Sequence, residues 1–120
     1  MVEIDLSKNR VRQLDSGSFP SSNIITCLKI EDNGLRSLTG LERLSRVQSL
    51  FLNGNRVTDI LEIEKLTDLT QLIELQIQSN PLVRKNLYRA QIIKKLPQLL
   101  YLDAKVGLSL LLGNYDGRKR

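Results

Sequence analysis

An apolar alternation that runs straight into an asparagine, and does so four times, constrains this chain more than any other feature. It is clearest in residues 47–60, VQSLFLNGNRVTDI, where Val47, Leu50, Leu52, Asn55, Val57 and Ile60 follow the pattern L-x-x-L-x-L-x-x-N-x-L-x-x-L. Leu50 and Leu52 have the period of a short strand with one face buried. The asparagine marks where that strand turns, because its amide offers both donors and an acceptor to backbone groups freed at the bend. Shifted copies run Met1, Ile4, Leu6, Asn9, Val11, Leu14, then Ile25, Leu28, Ile30, Asn33, Leu35, Leu38, and finally Leu72, Leu75, Ile77, Asn80, Leu82. The asparagines lie 24, 22 and 25 residues apart.

This period and apolar spacing resemble the leucine-rich repeat. The resemblance covers nearly the whole chain and implies an α/β solenoid. It has a parallel sheet on its concave side, short helices or irregular turns on its convex side, and a C-terminal helical cap. No coil of such a stack buries its apolar face alone. Burying one Leu or Ile side chain contributes about 1.5–3 kcal/mol, so coils become stable by covering one another.

The pattern divides the chain into coils at 1–24, 25–46, 47–71 and from 72 through 80 onward, a cap and last coil at 81–103, and a tail at 104–120. The first coil starts on its strand at Met1. Ile4 and Leu6 then need a cover along that edge, which favours a piece of a longer protein. After Leu14, DSGSFPSSN has turn composition, with Phe19 expected in the core of the convex side. Leu38, Leu41 and Leu44 at threefold spacing predict a tight helical turn behind the second coil. Behind the third, Ile60, Ile63, Leu66 and Leu69 recur every three residues. A short amphipathic helix capped by Thr58 or Asp59 fits them, with Glu62, Glu64, Lys65 and Asp68 as solvated charge. Beyond Pro81, Tyr88, Ile92 and Leu96 share a helix face, Pro97 stops the helix, and Leu99 and Leu102 restore a strand.

Asn80, Pro81, Tyr88, Arg89, Leu96, Pro97, Leu99, Leu102 and Asp103 resemble the C-terminal cap of intracellular leucine-rich-repeat proteins. Such caps occur in the spliceosomal U2 A-prime protein, the acidic nuclear phosphoproteins and the leucine-rich light chain of axonemal outer-arm dynein. The 22-residue second coil is similar to the class that includes a regulatory subunit of protein phosphatase 1. FLNGNRVTDILEIEKL followed by NPLVRKNLYR is similar to the last repeats of the leucine-rich repeat-containing protein nine type, and that resemblance implies a cilium-associated role. The tail departs from the cap pattern, which usually continues in a charged helix.

The chain has no histidine, which removes the commonest general base and metal ligand. Cys27, the single cysteine, lacks both a histidine to activate it and a partner for an internal disulfide. The cysteine-clamped ends usual in extracellular relatives are missing, so the expected location is intracellular and cytoplasmic, with the cilium possible by resemblance and the nucleus as the alternative. GLRSLTG and LNGN match no nucleotide fingerprint. No enzyme, cofactor or metal site is expected, and no apolar run approaches the roughly 18 residues that span a membrane. Net charge is +5, unevenly spread: residues 1–80 carry nine basic and eleven acidic side chains, residues 81–120 nine basic and two acidic.

The expected function therefore lies on the surface, where strand side chains between the core positions point outward on the concave face. From these, Lys29, Glu31, Phe51, Asn53, Glu74, Gln76 and Tyr101 are the candidate partner-binding residues. Phe51 stands out because alternation between Leu50 and Leu52 forces an aromatic ring outward among polar groups, as in an interface anchor. The leading reading is a non-catalytic protein–protein interaction module, the end of a larger scaffold, holding a helix or loop of another protein. One alternative is an RNA or ribonucleoprotein component using the basic cap and tail, although no basic side chains interleave with stacking aromatics on the sheet. Another is a regulatory subunit of a phosphatase.

Overall fold

A computed structural model describes residues 2–14 and 24–106. Each coil contributes one short strand: β1 (Val2–Asp5), β2 (Ile25–Lys29), β3 (Ser49–Phe51), β4 (Glu74–Gln76) and β5 (Tyr101–Leu102). These pair in parallel and in chain order, and β6 (Lys105–Val106) joins β5 antiparallel. The register sets Ile4, Leu28, Leu50, Leu75 and Leu102 in one inward row. Every residue of the buried apolar core among the described residues is Leu, Ile or Val, with Ile4, Leu6 and Val11 of the first coil only partly buried against it. The fold is the expected leucine-rich-repeat solenoid.

Parallel pairing continues past the strands into the turn. Ile30 N donates to Phe51 O at 2.9 Å, Leu52 N to Gln76 O at 2.7 Å, and Gly54 N to Gln78 O at 2.9 Å. The next step repeats in four coils: the residue before each asparagine has a left-handed backbone, with φ of 62° at Lys8, 58° at Asp32, 78° at Gly54 and 60° at Ser79. A side chain there costs roughly 1–2 kcal/mol. Glycine occupies the position at Gly54, where a Cβ would also collide with the Asp32 carboxylate.

The turn delivers the asparagines inward, and Asn33, Asn55 and Asn80 are buried. Asn55 uses its whole amide. Its oxygen accepts from Asn33 N at 3.2 Å and Leu35 N at 3.0 Å, while its nitrogen donates to Ile30 O at 2.7 Å and Leu52 O at 2.9 Å. Asn33 repeats the arrangement one coil earlier with Asn9 N, Val11 N, Leu6 O and Glu31 O.

The threefold apolar spacing behind the coils gives 3-10 turns at Leu41–Arg43 and Ile60–Leu66, since residues three apart eclipse in that helix. Asp59 caps the second, accepting from Leu61 N at 2.9 Å. Glu62 is not the solvated charge its neighbours suggest. It accepts from Leu38 N, the Ser37 hydroxyl and Lys65 at 2.8–3.0 Å and so ties the second coil to the third. Burial favours its neutral form, but those bonds outweigh it and hold its carboxyl below the usual range. Helix α1 (Tyr88–Lys95) packs on Ile60–Leu66 and on a further 3-10 turn, Pro81–Arg84, and its Lys95 pairs with Glu64 at 2.7 Å.

The sheet runs past Asp103, where the sequence pattern begins the tail. Asp103 (φ 54°) and Ala104 (φ 66°) turn the chain back as β6. Two positive φ values in a two-residue loop make a hairpin turn usually built from Asn-Gly or Asp-Gly, so Asp-Ala gives no sequence signal. Phe19 and residues 107–120 lie outside the described residues.

Leu52→Ala is expected to destabilise the fold by about 2–5 kcal/mol in urea unfolding, the range for core truncation; a loss under about 1 would contradict its inward position. Asn55→Ala leaves Asn33 N, Leu35 N and Ile30 O without their partner, Leu52 O keeping Asn80, and is expected to cost at least about 2 kcal/mol, read by the same midpoint.

Candidate functional site

The strands present outward side chains in rows across the concave face. One row is Glu3, Cys27, Ser49, Glu74 and Tyr101; the next is Asp5, Lys29, Phe51 and Gln76, and the register continues it to Asp103. Tyr101 therefore stands in the row of Glu74, and Asp103 is the neighbour of Gln76. Two residues further along each coil come Ser7, Glu31, Asn53 and Gln78.

Phe51 points outward as alternation requires, yet it is half-buried rather than bare. The Lys29 ammonium stands 5.5 Å from the ring centroid and pairs with Glu3 at 3.1 Å. The hydrogen bond and charge of Glu3 raise the Lys29 pKa, which keeps the group over the ring a cation. Asn53 is the hub of the face: it donates to Glu31 at 2.7 Å and to Gln76 at 2.9 Å, and accepts from Gln78 N at 2.7 Å. Glu74 accepts from Ser49 at 3.3 Å and Gln76 at 3.5 Å. Of the sequence candidates, Glu31, Asn53, Gln76 and Glu74 thus form one network, Lys29 and Phe51 form a pair beside it, and Tyr101 stands apart, 43% exposed.

Two properties of the face escaped the sequence reading. Its outward positions carry six carboxylates, Glu3, Asp5, Glu31, Asp32, Glu74 and Asp103, against the ammonium groups of Lys8 and Lys29. Summing charge across equivalent positions, rather than along the chain, is the signal that finds it. An apolar rim also adjoins Tyr101: Ile73 and Leu100 are each 37% exposed, and both Leu100 N and Tyr101 N donate to Ile73 O. Both occupy variable positions of the repeat, where an apolar residue has no core to fill.

The last strand is held by a compact polar cluster. Tyr88 donates its hydroxyl to Asp103 at 2.7 Å, Gln78 donates to both Asp103 and Tyr88, and Arg89 of α1 donates to Leu102 O at 2.8 Å. Burial, reinforced by the Asp103 carboxylate, pushes Tyr88 up to about 12. Cys27 is half-buried, and burial followed by the Glu3 carboxylate raises its pKa, which leaves it a protonated thiol near neutrality. Among the described residues no group of three or more His, Cys, Asp or Glu is placed to hold a metal ion, and no helix is long and apolar enough to cross a membrane.

The family profile described as Leucine-rich repeat matches residues 1–108. The chain belongs to the leucine-rich-repeat family. Among curated relatives, the probable U2 small nuclear ribonucleoprotein A′ of Drosophila melanogaster is 35% identical over 102 residues, covering 83% of this chain and 38% of that protein. Human U2 small nuclear ribonucleoprotein A′ is 33% identical over 102 residues, covering 83% and 39%. The human geranylgeranyl transferase type-2 subunit alpha is 31% identical over 102 residues, covering 82% and only 17%. The chain thus spans less than half the length of these relatives. Two solved structures share the fold: a Drosophila melanogaster SNF/U2A′ complex (TM-score 0.69, 23% identity, 87% of this chain and 73% of that one) and Chaetomium Mex67:Mtr2 subunits (TM-score 0.72, 19% identity, 97% and 88%).

Because the folded-state pKa of Tyr88 is raised, its contribution to stability is present below the ordinary tyrosine value of about 10 and is lost as pH rises through about 12. Ultraviolet titration of folded protein is expected to show one late tyrosinate phase, absent from Tyr88→Phe; a full titration complete by pH 11 would contradict the cluster.

Proposed function

We propose that the chain is a non-catalytic protein-binding module whose concave sheet holds a helix or loop of a partner with basic facing side chains. The observation that carries this reading is the acidic concave face, ordered by its own hydrogen bonds and bordered by the apolar rim of Ile73, Leu100 and Tyr101. Side chains already fixed lose little freedom on association, which favours binding. Phe51 serves as the central apolar contact, with Lys29 shared between its ring and the partner. Two proteins of like fold are described in complexes, with SNF and with Mtr2, which supports a binding role for such a frame.

A second reading, compatible with the first, is a component of a ribonucleoprotein in the nucleus. It is favoured by the similarity to U2 small nuclear ribonucleoprotein A′ and by the basic balance of residues 81–120. The cytoplasmic and ciliary settings have no such support, and the resemblances to the phosphatase regulator and to protein nine rest on repeat length and short stretches alone. On this proposal residues 1–80 are the binding coils, 81–103 the cap and last coil, and 104–120 a tail.

The test is affinity capture from nuclear extract with the full chain, Phe51→Glu and Leu100→Glu, each with and without nuclease. A partner retained by the parent chain and weakened at least about thirtyfold by Phe51→Glu, the effect of losing a hot-spot residue of about 2 kcal/mol, is the expected result. Retention unchanged in both variants would remove the concave face from the account.

A further inference from the structure

Past the C-terminal ends of β1, β2 and β3, where the chain leaves the asparagine turn, three successive coils send Arg12, Arg36 and Arg56 to one cleft of about 660 Å³. The rest of its wall is Gln13, Asp32, the ladder residues Asn33 and Asn55, and two glycines. All three arginines are exposed, and none is in an ion pair or side-chain hydrogen bond with another described residue. Arg12 and Arg36 hold equivalent positions in adjacent coils, which stack at the strand spacing of about 4.8 Å, so these two are anchored within a Debye length of about 8 Å. Among the described residues lining the cleft, Asp32 is the one carboxylate that opposes the repulsion between the guanidinium groups.

Three guanidinium forks with no side-chain partner among the described residues suit a polyanion, because each fork matches the paired oxygens of a phosphate or carboxylate. The wall decides between these. Among the described residues it offers no aliphatic or aromatic side chain, so an acidic peptide would find charge there but no pocket for the apolar anchors that carry protein–protein affinity. A phosphodiester backbone repeats its charge at every unit and needs no such pocket. Among the described lining residues no aromatic ring is present to stack on the bases, which makes the contact independent of sequence.

We infer that the arginine cleft binds the phosphodiester backbone of a nucleic-acid strand, with Arg12, Arg36 and Arg56 each engaging a phosphate. Asp32 weakens that binding by its charge. Asp32 borders both this cleft and the concave face proposed for protein binding, but the three arginines belong to the cleft alone, so either proposal can fail without the other.

Fluorescence anisotropy of the full chain with labelled single-stranded U12 RNA and T12 DNA, across a salt series, tests this. The triple variant Arg12→Gln/Arg36→Gln/Arg56→Gln is expected to bind both strands more weakly and to reduce the slope of log K against log salt by about 2, at about 0.7 per lost phosphate contact for single strands. Asp32→Asn, tolerated because asparagine adopts the same left-handed backbone, is expected to tighten binding. An unchanged slope in the triple variant overturns the proposal. So does loss of binding only in Arg118→Gln/Lys119→Gln/Arg120→Gln, which would assign it to the tail. Displacement of the RNA by a twelve-residue oligoglutamate at lower concentration than by unlabelled U12 overturns it in favour of an acidic peptide.

Discussion

Buried amides that bond from coil to coil are the constraint on which the rest of this structure depends. An aliphatic core is non-directional, and stacked rows of Leu, Ile and Val tolerate sliding at modest cost. Asn33 and Asn55 do not, because each amide group is buried with all of its hydrogen-bonding capacity assigned to a particular backbone atom. A shift of one residue would leave those groups unpaired in an apolar interior. The ladder therefore fixes the register of the sheet, and the register sets which side chains share a row on the concave face.

The proposed functions follow from how that register sorts charge. The overall balance of +5 hides a division between surfaces. Carboxylates collect on the sheet, while arginines from three coils collect at the turn beyond it. On the two proposals, one face meets a basic protein segment and the other a polyanion. The polar cluster of Tyr88, Gln78 and Asp103 keeps the last strand, and with it Tyr101 and its apolar rim, in line with the rest.

The core and the asparagine ladder were legible in the sequence because their spacing is the structural period itself. Phe51 was legible as outward for the same reason, but its cover by Lys29 was not, since that contact depends on side-chain direction in the adjacent coil. Glu62 read as solvated because its partners Ser37 and Leu38 lie a full coil away. The hairpin at Asp103 and Ala104 lacks the residues that announce such turns. The arginine cleft was hidden by unequal offsets: Arg12 and Arg36 follow their asparagines by three positions and Arg56 by one, so no repeat alignment puts them in a column.

The ladder also has a direction. The oxygen of Asn33 accepts from Asn9 N and Val11 N, that of Asn55 from Asn33 N and Leu35 N, and that of Asn80 from Val57 N. In every case the acceptor belongs to the later coil and the closed turn to the earlier one. Each coil is thus completed by its successor, and the injury from a lost asparagine falls upstream of the lesion. Amide exchange in such a variant would open first at residues some twenty positions before the altered one, a one-way dependence that an apolar stack alone would not possess.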